Sequence, residues 1–397
     1  MLCIVSGTVP PALAVHALQI LLRPLVTIVS LMIMTLIAER LGLFDLLGRF
    51  IAKVSNGDGR KLFRNLFLCG TMTGVLFSND AAVLIFTPLA FDLVERVGGV
   101  DWRASNKIPY YFAVLFVANL VGGLVISNPI NVIVATLFGI SFLEYAVWMF
   151  LPTAISILAS YYGLRWFFRR DIPAKCLRTS PLMGRSQNRA TLFIGGGLLL
   201  GTLAGFFSEG LTGIPNWAVA VGGALGFAVL YGYHSQCRSP VLHAVAWDIV
   251  VFVIGMFIVA TGLRNVGVTH QIGGFLRTVA GDGLGILSAL TALVSAVCSS
   301  LMNNHPTANI MAMVIEDFHR PMGEGKMLAL SALIGGDLGP KMLPIGSLAA
   351  LLWFRMLRER GVEVPYRLYI KVGIPVTLCA VILSVMILNF EYALFNR

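Results

Sequence analysis

Residues 327–357 read MLALSALIGGDLGPKMLPIGSLAALLWFRML, long enough to cross a bilayer but interrupted midway by Gly335-Gly336-Asp337-Leu338-Gly339-Pro340. Gly weakens a helix and Pro removes a backbone donor, so the stretch reads as a broken transmembrane helix. Residues 108–142 have the same form, interrupted by Ser127-Asn128-Pro129-Ile130-Asn131. Broken backbone at membrane depth is tolerated only where protein or a water-filled cavity surrounds it. The two breaks therefore set the fold class as well as the place to look for function.

Around them, six segments are apolar over the roughly 20 residues a spanning helix needs: 13–38, 145–168, 190–208, 215–234, 247–264 and 366–391. Two further regions read as re-entrant hairpins. Residues 65–77 meet Ser78-Asn79-Asp80 and continue as an uncharged run over 81–91. Residues 283–302 meet Asn303-Asn304-His305-Pro306 and continue over 307–315. Composition agrees with a membrane chain: of 397 residues 57% are hydrophobic and 12% charged, against about a quarter charged in soluble domains. A soluble enzyme, a disordered chain and a nucleic-acid-binding protein are excluded on that ground.

The net charge of +10 reports orientation. With eight crossings and the basic loop 165–189 placed in the cytoplasm, the stretches 39–64, 95–107, 165–189, 234–248 and 355–371 hold 22 of the 29 Lys and Arg. This is the positive-inside asymmetry, and it implies no nucleic-acid partner. The N-terminal MLCIVSGTVPPALA lacks the basic residues of a signal peptide. The six cysteines, Cys3, Cys69, Cys176, Cys237, Cys298 and Cys379, are unclustered, so neither a disulfide framework nor a metal site is expected.

The order helix, hairpin, broken helix, helix occurs over 13–168 and again over 247–391, with the basic loop and two connecting helices over 169–246 between them. In the topology above the copies enter from opposite sides. The expectation is an all-α polytopic membrane protein of two inverted-topology repeats, each with a re-entrant hairpin and a discontinuous transmembrane helix. This is the architecture of secondary transporters, whose sites form at discontinuous helices near the midplane. No potassium-channel filter, HExxH or Ser-His pair argues for a channel or an enzyme.

Polar groups inside a bilayer are costly when unpaired, which makes each one informative. At the first hairpin tip Asn79 offers donors and an acceptor and Asp80 a titratable carboxylate; both also suit a helix cap. Ser127, Asn128 and Asn131 lie at the first break, where they face a ligand or satisfy the broken backbone. Asn303, Asn304, His305 and Thr307 form the second tip, with His305 either a proton carrier or a hydrogen-bonded structural residue. Asp337 and Lys341 bracket Gly339-Pro340, and opposite charges four residues apart are expected to pair. Ser347 opens the half-helix after the second break. Asn119 and Asn309 are weaker candidates, since a single Asn often only joins helices.

At these same residues the chain resembles the arsenical pump membrane protein family, exporters of arsenite and antimonite within the ion transporter superfamily. The resemblance rests on FSNDAAVLIFTPLA at 77–90, ISNPINVIVATLFGISFLEYA at 126–146, RRDIP at 169–173, WDIVVFVIGMFIVATGLRNVGVT at 247–269, SSLMNNHPT at 299–307 and GGDLGPKMLPIGSLAALLW at 335–353. It covers the chain from about residue 13 onward. Two departures stand out. His305 replaces a usually apolar residue, and MLCIVSGTV is similar to the tail of the second helix of the family's additional N-terminal hairpin, so that either the hairpin is lacking or the true start lies upstream.

The resemblance implies efflux of arsenite or antimonite across the inner (plasma) membrane by proton antiport, with the proton gradient as energy source and no cofactor. It also implies an optional soluble arsenical pump ATPase as partner, the chain itself being a transporter and not an enzyme. Arsenious acid is a neutral trihydroxide, so hydroxyl and amide groups suit it, and Asn79, Ser127, Asn128, Asn131, Asn304, Thr307 and Ser347 supply them. Export against a gradient needs a coupled ion, for which Asp80, Asp337, Lys341 and His305 are the candidates. The alternative is sodium-coupled transport of a small anion or another neutral metalloid acid. An anion site would want an Arg at the tips, and none is present.

Overall fold

A computed structural model describes residues 9–77, 79–98, 102–117, 120–177, 189–234, 241–281 and 283–395. Ser78 and Asn119, like Cys3 and Cys237, lie outside them. Among the described residues the chain is helical, with no strand. The helices of the first half are α1 (Pro11–Arg40), α2 (Leu43–Ser55), α3 (Gly59–Leu76), α4 (Asn79–Gly98), α5 (Ala104–Val117), α6 (Pro129–Leu137) and α7 (Phe142–Phe167). The connecting helices are α8 (Arg189–Phe207), a single turn α9 (Glu209–Thr212) and α10 (Asn216–His234). The second half has α11 (Trp247–Asn265), α12 (Val268–Ala280), α13 (Leu284–Met302), α14 (Asn304–Glu316), α15 (Met322–Leu338), α16 (Leu348–Arg358) and α17 (Tyr366–Phe395).

Among the described residues seven helices are long and apolar enough to cross a membrane. Six lie in the six uninterrupted segments of the sequence. The seventh is α13, which the sequence reading treats as a hairpin arm; its 19 residues would suffice to cross, yet at Asn303 the chain turns and α14 packs back along it. Asn303 makes this turn at φ 80°, a left-handed conformation that strains a residue with a side chain. Its amide oxygen accepts the His305 backbone N–H at 3.4 Å, capping α14.

Each interrupted stretch contains a helix break, the first between Val117, where α5 ends, and Pro129, where α6 begins, and the second between Leu338 and Leu348. The first opens upstream of the 127–131 read from the sequence, and the two share one backbone form. Leu124 and Leu343 are extended, with φ −128° in each. A 3₁₀ turn follows, Val125–Ser127 in the first break and Pro344–Gly346 in the second. A polar residue in extended conformation then caps the next helix: Asn128 accepts from Ile130 N–H, Ser347 from Ala350 N–H. The second break adds an earlier 3₁₀ turn at Gly339–Lys341.

Two helices escape the sequence reading. α2 and α12 are amphipathic, each follows a long apolar helix, and each is entered through a left-handed glycine, Gly42 at φ 75° and Gly267 at φ 82°. Their alternation of apolar and polar faces suits the membrane surface. They were missed because charged residues within them read as loop.

The tertiary contacts cross between the halves. α4 packs against α16, and α14 packs against α6. Thus the second hairpin arm of each half lies on the short helix that follows the break of the other. α13 and α15 pack most closely, because small residues face one another. A Cβ at Gly335 would stand 2.0 Å from the Ala292 carbonyl oxygen, and one at Gly339 would stand 2.3 Å from that of Ala296. Hydroxyls complete the seam, Ser295 donating to Ala332 O and Ser299 to Gly336 O, each at 2.7 Å. Small residues are the usual means of close approach between membrane helices, where lipid removes the hydrophobic drive.

Several basic stretches meet at one end of the molecule. Cys176 N–H donates to Gly57 O, Leu177 N–H to Val97 O, and the Asn106 amide to Asp171 O. Other termini carry ion pairs, Arg264 with Glu316 and Asp317 and Lys326 with Glu144.

Candidate substrate and coupling site

The centre of the polar constellation is Asp337, on the last turn of α15 and 1% exposed. Its carboxylate accepts hydrogen bonds from the first break, more than 200 positions earlier in the chain. Asn128 Nδ2 donates to Oδ1 at 2.7 Å and Gly122 N–H to Oδ2 at 3.0 Å. Asn131 Nδ2 makes a longer contact with Oδ2 at 3.5 Å and with Ser127 Oγ at 3.4 Å. Three donors on one carboxylate are what a buried charge requires. Asn128 serves twice, its oxygen capping α6 and its nitrogen holding Asp337.

Asn79 joins the same group through the backbone, its Nδ2 donating to Leu120 O at 3.2 Å. The carbonyl of Gly122 is held in turn by the Tyr145 hydroxyl at 3.1 Å. Asp80 is the second residue of α4, and its side chain lies outside the described residues. The first tip, the first break and the second break are thereby tied together.

The remaining candidates are arranged differently. Thr307 Oγ1 donates to Asn303 O at 2.8 Å, and Ser347 caps α16. Asn304 Oδ1 lies 2.9 Å from His305 Nδ1, within hydrogen-bond reach. His305 Nε2 is buried with no hydrogen-bond partner among the described residues, and the ring stands edge-on to Phe252 at 5.7 Å. The Asn309 amide nitrogen is likewise buried and unpaired.

One expectation fails. Lys341 forms no ion pair with Asp337. The helix tightens into 3₁₀ form at Gly339–Lys341, and a 3₁₀ turn takes 3.0 residues instead of 3.6, which rotates Lys341 off the face that Asp337 occupies. Its ammonium lies 5.2 Å from the ring centre of Phe116 and has no hydrogen-bond partner among the described residues. Sequence spacing signals the pair but not the change of helical form.

Sequence reasoning also missed four contributors. Gly122 is required by space: a Cβ there would stand 2.1 Å from Ser127 Oγ and 2.3 Å from Asn131 Nδ2. Thr153 on α7 lies against Gly123 with its hydroxyl unpaired among the described residues. Tyr145 and Phe116 have no motif to flag them. The signal available was Gly122-Gly123 just before the break.

A cavity of about 180 Å³ reaches the first break at Ile126 and Pro129 and the first tip at Phe77, and continues between α1 and α11 to Glu39. Asp337 and its amide partners do not line it. Chemically, the group holds a carboxylate that can take a proton, and beside it an acceptor without a partner among the described residues, Asn131 Oδ1.

Broken helices joined by polar side chains at their breaks, among seven potential membrane spans, define a multi-pass membrane transporter. The chain belongs to the arsenical pump membrane protein family, whose model matches residues 1–391. It is 34% identical to an arsenical pump membrane protein of Escherichia coli, covering 89% of this chain and 82% of that one. It is 27% identical to a putative arsenical pump membrane protein of Bacillus subtilis, over 92% and 86%. The fold is also that of the YdaH transporter of Alcanivorax borkumensis, solved by crystallography, at a TM-score of 0.65 and 15% identity over 96% and 87% of the two chains. The chain is accordingly an arsenic-related membrane transporter.

Proposed function

We propose that the chain exports arsenite and antimonite from the cytoplasm in exchange for protons, by alternating access between two inverted repeats, 13–168 and 247–391. The carrying observation is the carboxylate of Asp337, held by Asn128, Asn131 and Gly122 where the two breaks meet. Neutral As(OH)₃ and Sb(OH)₃ present only hydroxyls, and amides and hydroxyls at the breaks and tips pair with them without needing opposite charge. Asn79, Ser127, Asn128, Asn131, Asn304, Thr307 and Ser347 form the substrate-binding set in this reading.

The proton is carried at Asp337. Charged, the carboxylate accepts from the two amides and Gly122 N–H and ties the breaks together. Protonated, it becomes a donor, and a rotated Asn131 amide presents its unpaired oxygen to accept the O–H. The amide that held the carboxylate thus changes partner, loosening one contact between the halves, which is the two-state element an antiporter needs. Lys341, with no close ion pair or hydrogen bond among the described residues, responds to that charge across space, and Asp80 and His305 Nε2 are the secondary proton sites.

The protein then lies in the inner membrane with its basic loop cytoplasmic, and the soluble arsenical pump ATPase is its optional partner. The test is arsenite uptake into everted membrane vesicles under an imposed proton gradient. Uptake that collapses with a protonophore supports the reading; uptake driven by sodium and indifferent to protons overturns it.

A further inference from the structure

We propose that the end of the molecule where α3 begins and α7 finishes holds a binding site for the phosphate of an anionic phospholipid. A cavity of about 220 Å³ is lined there by Arg60, Phe63, Tyr161, Arg165, Arg169 and Ile172. Three of the six are arginines and none is acidic. Their guanidinium groups form no ion pair and no hydrogen bond among the described residues.

Two features of this arrangement are locally unfavourable. Arg165 and Arg169 are four apart on and just beyond the last turn of α7, where like charges repel. Arg60 sits in the first turn of α3, where a cation opposes the helix dipole. An anion in the cavity relieves both conflicts, and the planar guanidinium fork matches phosphate oxygens.

Lipid is favoured over a free anion by what lies on the adjoining face of α7. Trp166 and Tyr162 are 67% and 59% exposed, which suits an interfacial aromatic belt, and Arg169 lies 5.8 Å from the Trp166 ring centre. From Trp166 an apolar groove of about 580 Å³ runs between α7 and α17 past Tyr162, Leu158 and Leu383. Its bottom is Gly163, where a Cβ would press on Val376 at 3.0 Å. Lys371 adds a cation near its mouth, 5.9 Å from the Phe167 ring centre. A basic cavity beside an acyl-sized groove at the end of a transmembrane helix matches a phospholipid, and basic pockets between helices on the cytoplasmic side bind such headgroups.

The experiment uses purified full-length protein stripped of lipid, with thermal unfolding followed as phosphatidylglycerol, phosphatidylcholine or inorganic phosphate is added. Phosphatidylglycerol is expected to raise the midpoint more than phosphatidylcholine. In R60Q/R165Q/R169Q its apparent affinity is expected to fall roughly a hundredfold, each basic residue contributing about a factor of five, while R60K/R165K/R169K keeps the charge but loses the bidentate fork and has an intermediate affinity. Phosphatidylglycerol retained by wild type and by R169Q, counted by native mass spectrometry, gives a second reading should the triple variants fail to fold; fewer retained molecules in R169Q are expected. Equal response to both lipids, or equal retention by wild type and R169Q, overturns the site. Inorganic phosphate that matches phosphatidylglycerol overturns the lipid as its occupant.

Discussion

Asn128 and Asp337 are 209 positions apart in sequence and joined by a 2.7 Å hydrogen bond, a donor on one helix break and an acceptor on the other. The bond makes each break a condition of the other's geometry. Without the other, each would keep its remaining partners but leave one buried polar atom short of a hydrogen bond, at a desolvation cost.

Asp337→Asn tests the carboxylate. The replacement keeps the volume but cannot titrate, and one of its two polar atoms becomes a donor facing donors. In proteoliposomes proton-driven arsenite flux is expected to fall to background while the protein remains folded. Asp337→Ala leaves Gly122 N–H and the Asn128 amide unpaired, so a loss of about 2–4 kcal/mol of stability is expected, read as a lower melting midpoint. Full gradient-dependent flux in Asp337→Asn would remove this residue from the mechanism.

Gly122→Ala tests the space. A methyl group 2.1 Å from Ser127 Oγ and 2.3 Å from Asn131 Nδ2 must displace both, and the backbone N–H that bonds Asp337 moves with them. Overpacking of this kind costs about 1–3 kcal/mol. Flux is expected to fall further than that loss of stability explains, which a comparison of melting midpoint with initial rate will show.

Lys341→Met separates stability from function. The ammonium has no hydrogen-bond partner among the described residues, so an apolar side chain of similar length removes a desolvation cost and loses little besides the Phe116 contact. The melting midpoint is expected to equal or exceed that of wild type while transport declines. A markedly less stable Lys341→Met would mean that the charge supports the resting structure.

Much of this was legible in the chain. The interrupted runs at 127–131 and 335–346 signal that a break falls in each stretch because Gly and Pro act locally, and six apolar runs give six of the seven helices that are long and apolar enough to cross among the described residues, because hydropathy at that length is a local property too. What could not be read depends on distance in space. Asn128 meets Asp337 only once the two halves dock, Lys341 leaves its expected partner through a local tightening to 3₁₀ form, and Gly122 matters because of atoms that fold over it. α2 and α12 were missed for another reason: their charges lie on one face, and a count of charge per segment does not see faces.

The last prediction concerns which of three groups moves the proton. Asp337 has three donors and a neighbouring acceptor, Asn131 Oδ1, free among the described residues to receive a carboxylic proton. Asp80 begins α4 next to Asn79, whose amide reaches Leu120 O two residues before Gly122, so it belongs to the same neighbourhood. His305 presents an Nε2 with no hydrogen-bond partner among the described residues but sits against Phe252 on α11 and shows no hydrogen bond to Asp337. Proton-driven arsenite flux is therefore expected to stop in Asp337→Asn, to weaken in Asp80→Asn, and to persist with altered affinity in His305→Met, each checked for folding by its melting midpoint. Measuring counterflow of arsenite in the absence of a gradient separates binding from coupling. Asp337→Asn should still exchange substrate at equilibrium, because the amides and hydroxyls that bind a neutral trihydroxide remain, while losing accumulation. If both Asp variants accumulate arsenite like wild type and His305→Met does not, the proton is carried at the second hairpin tip, and the bonds between Asp337 and the first break serve structure alone.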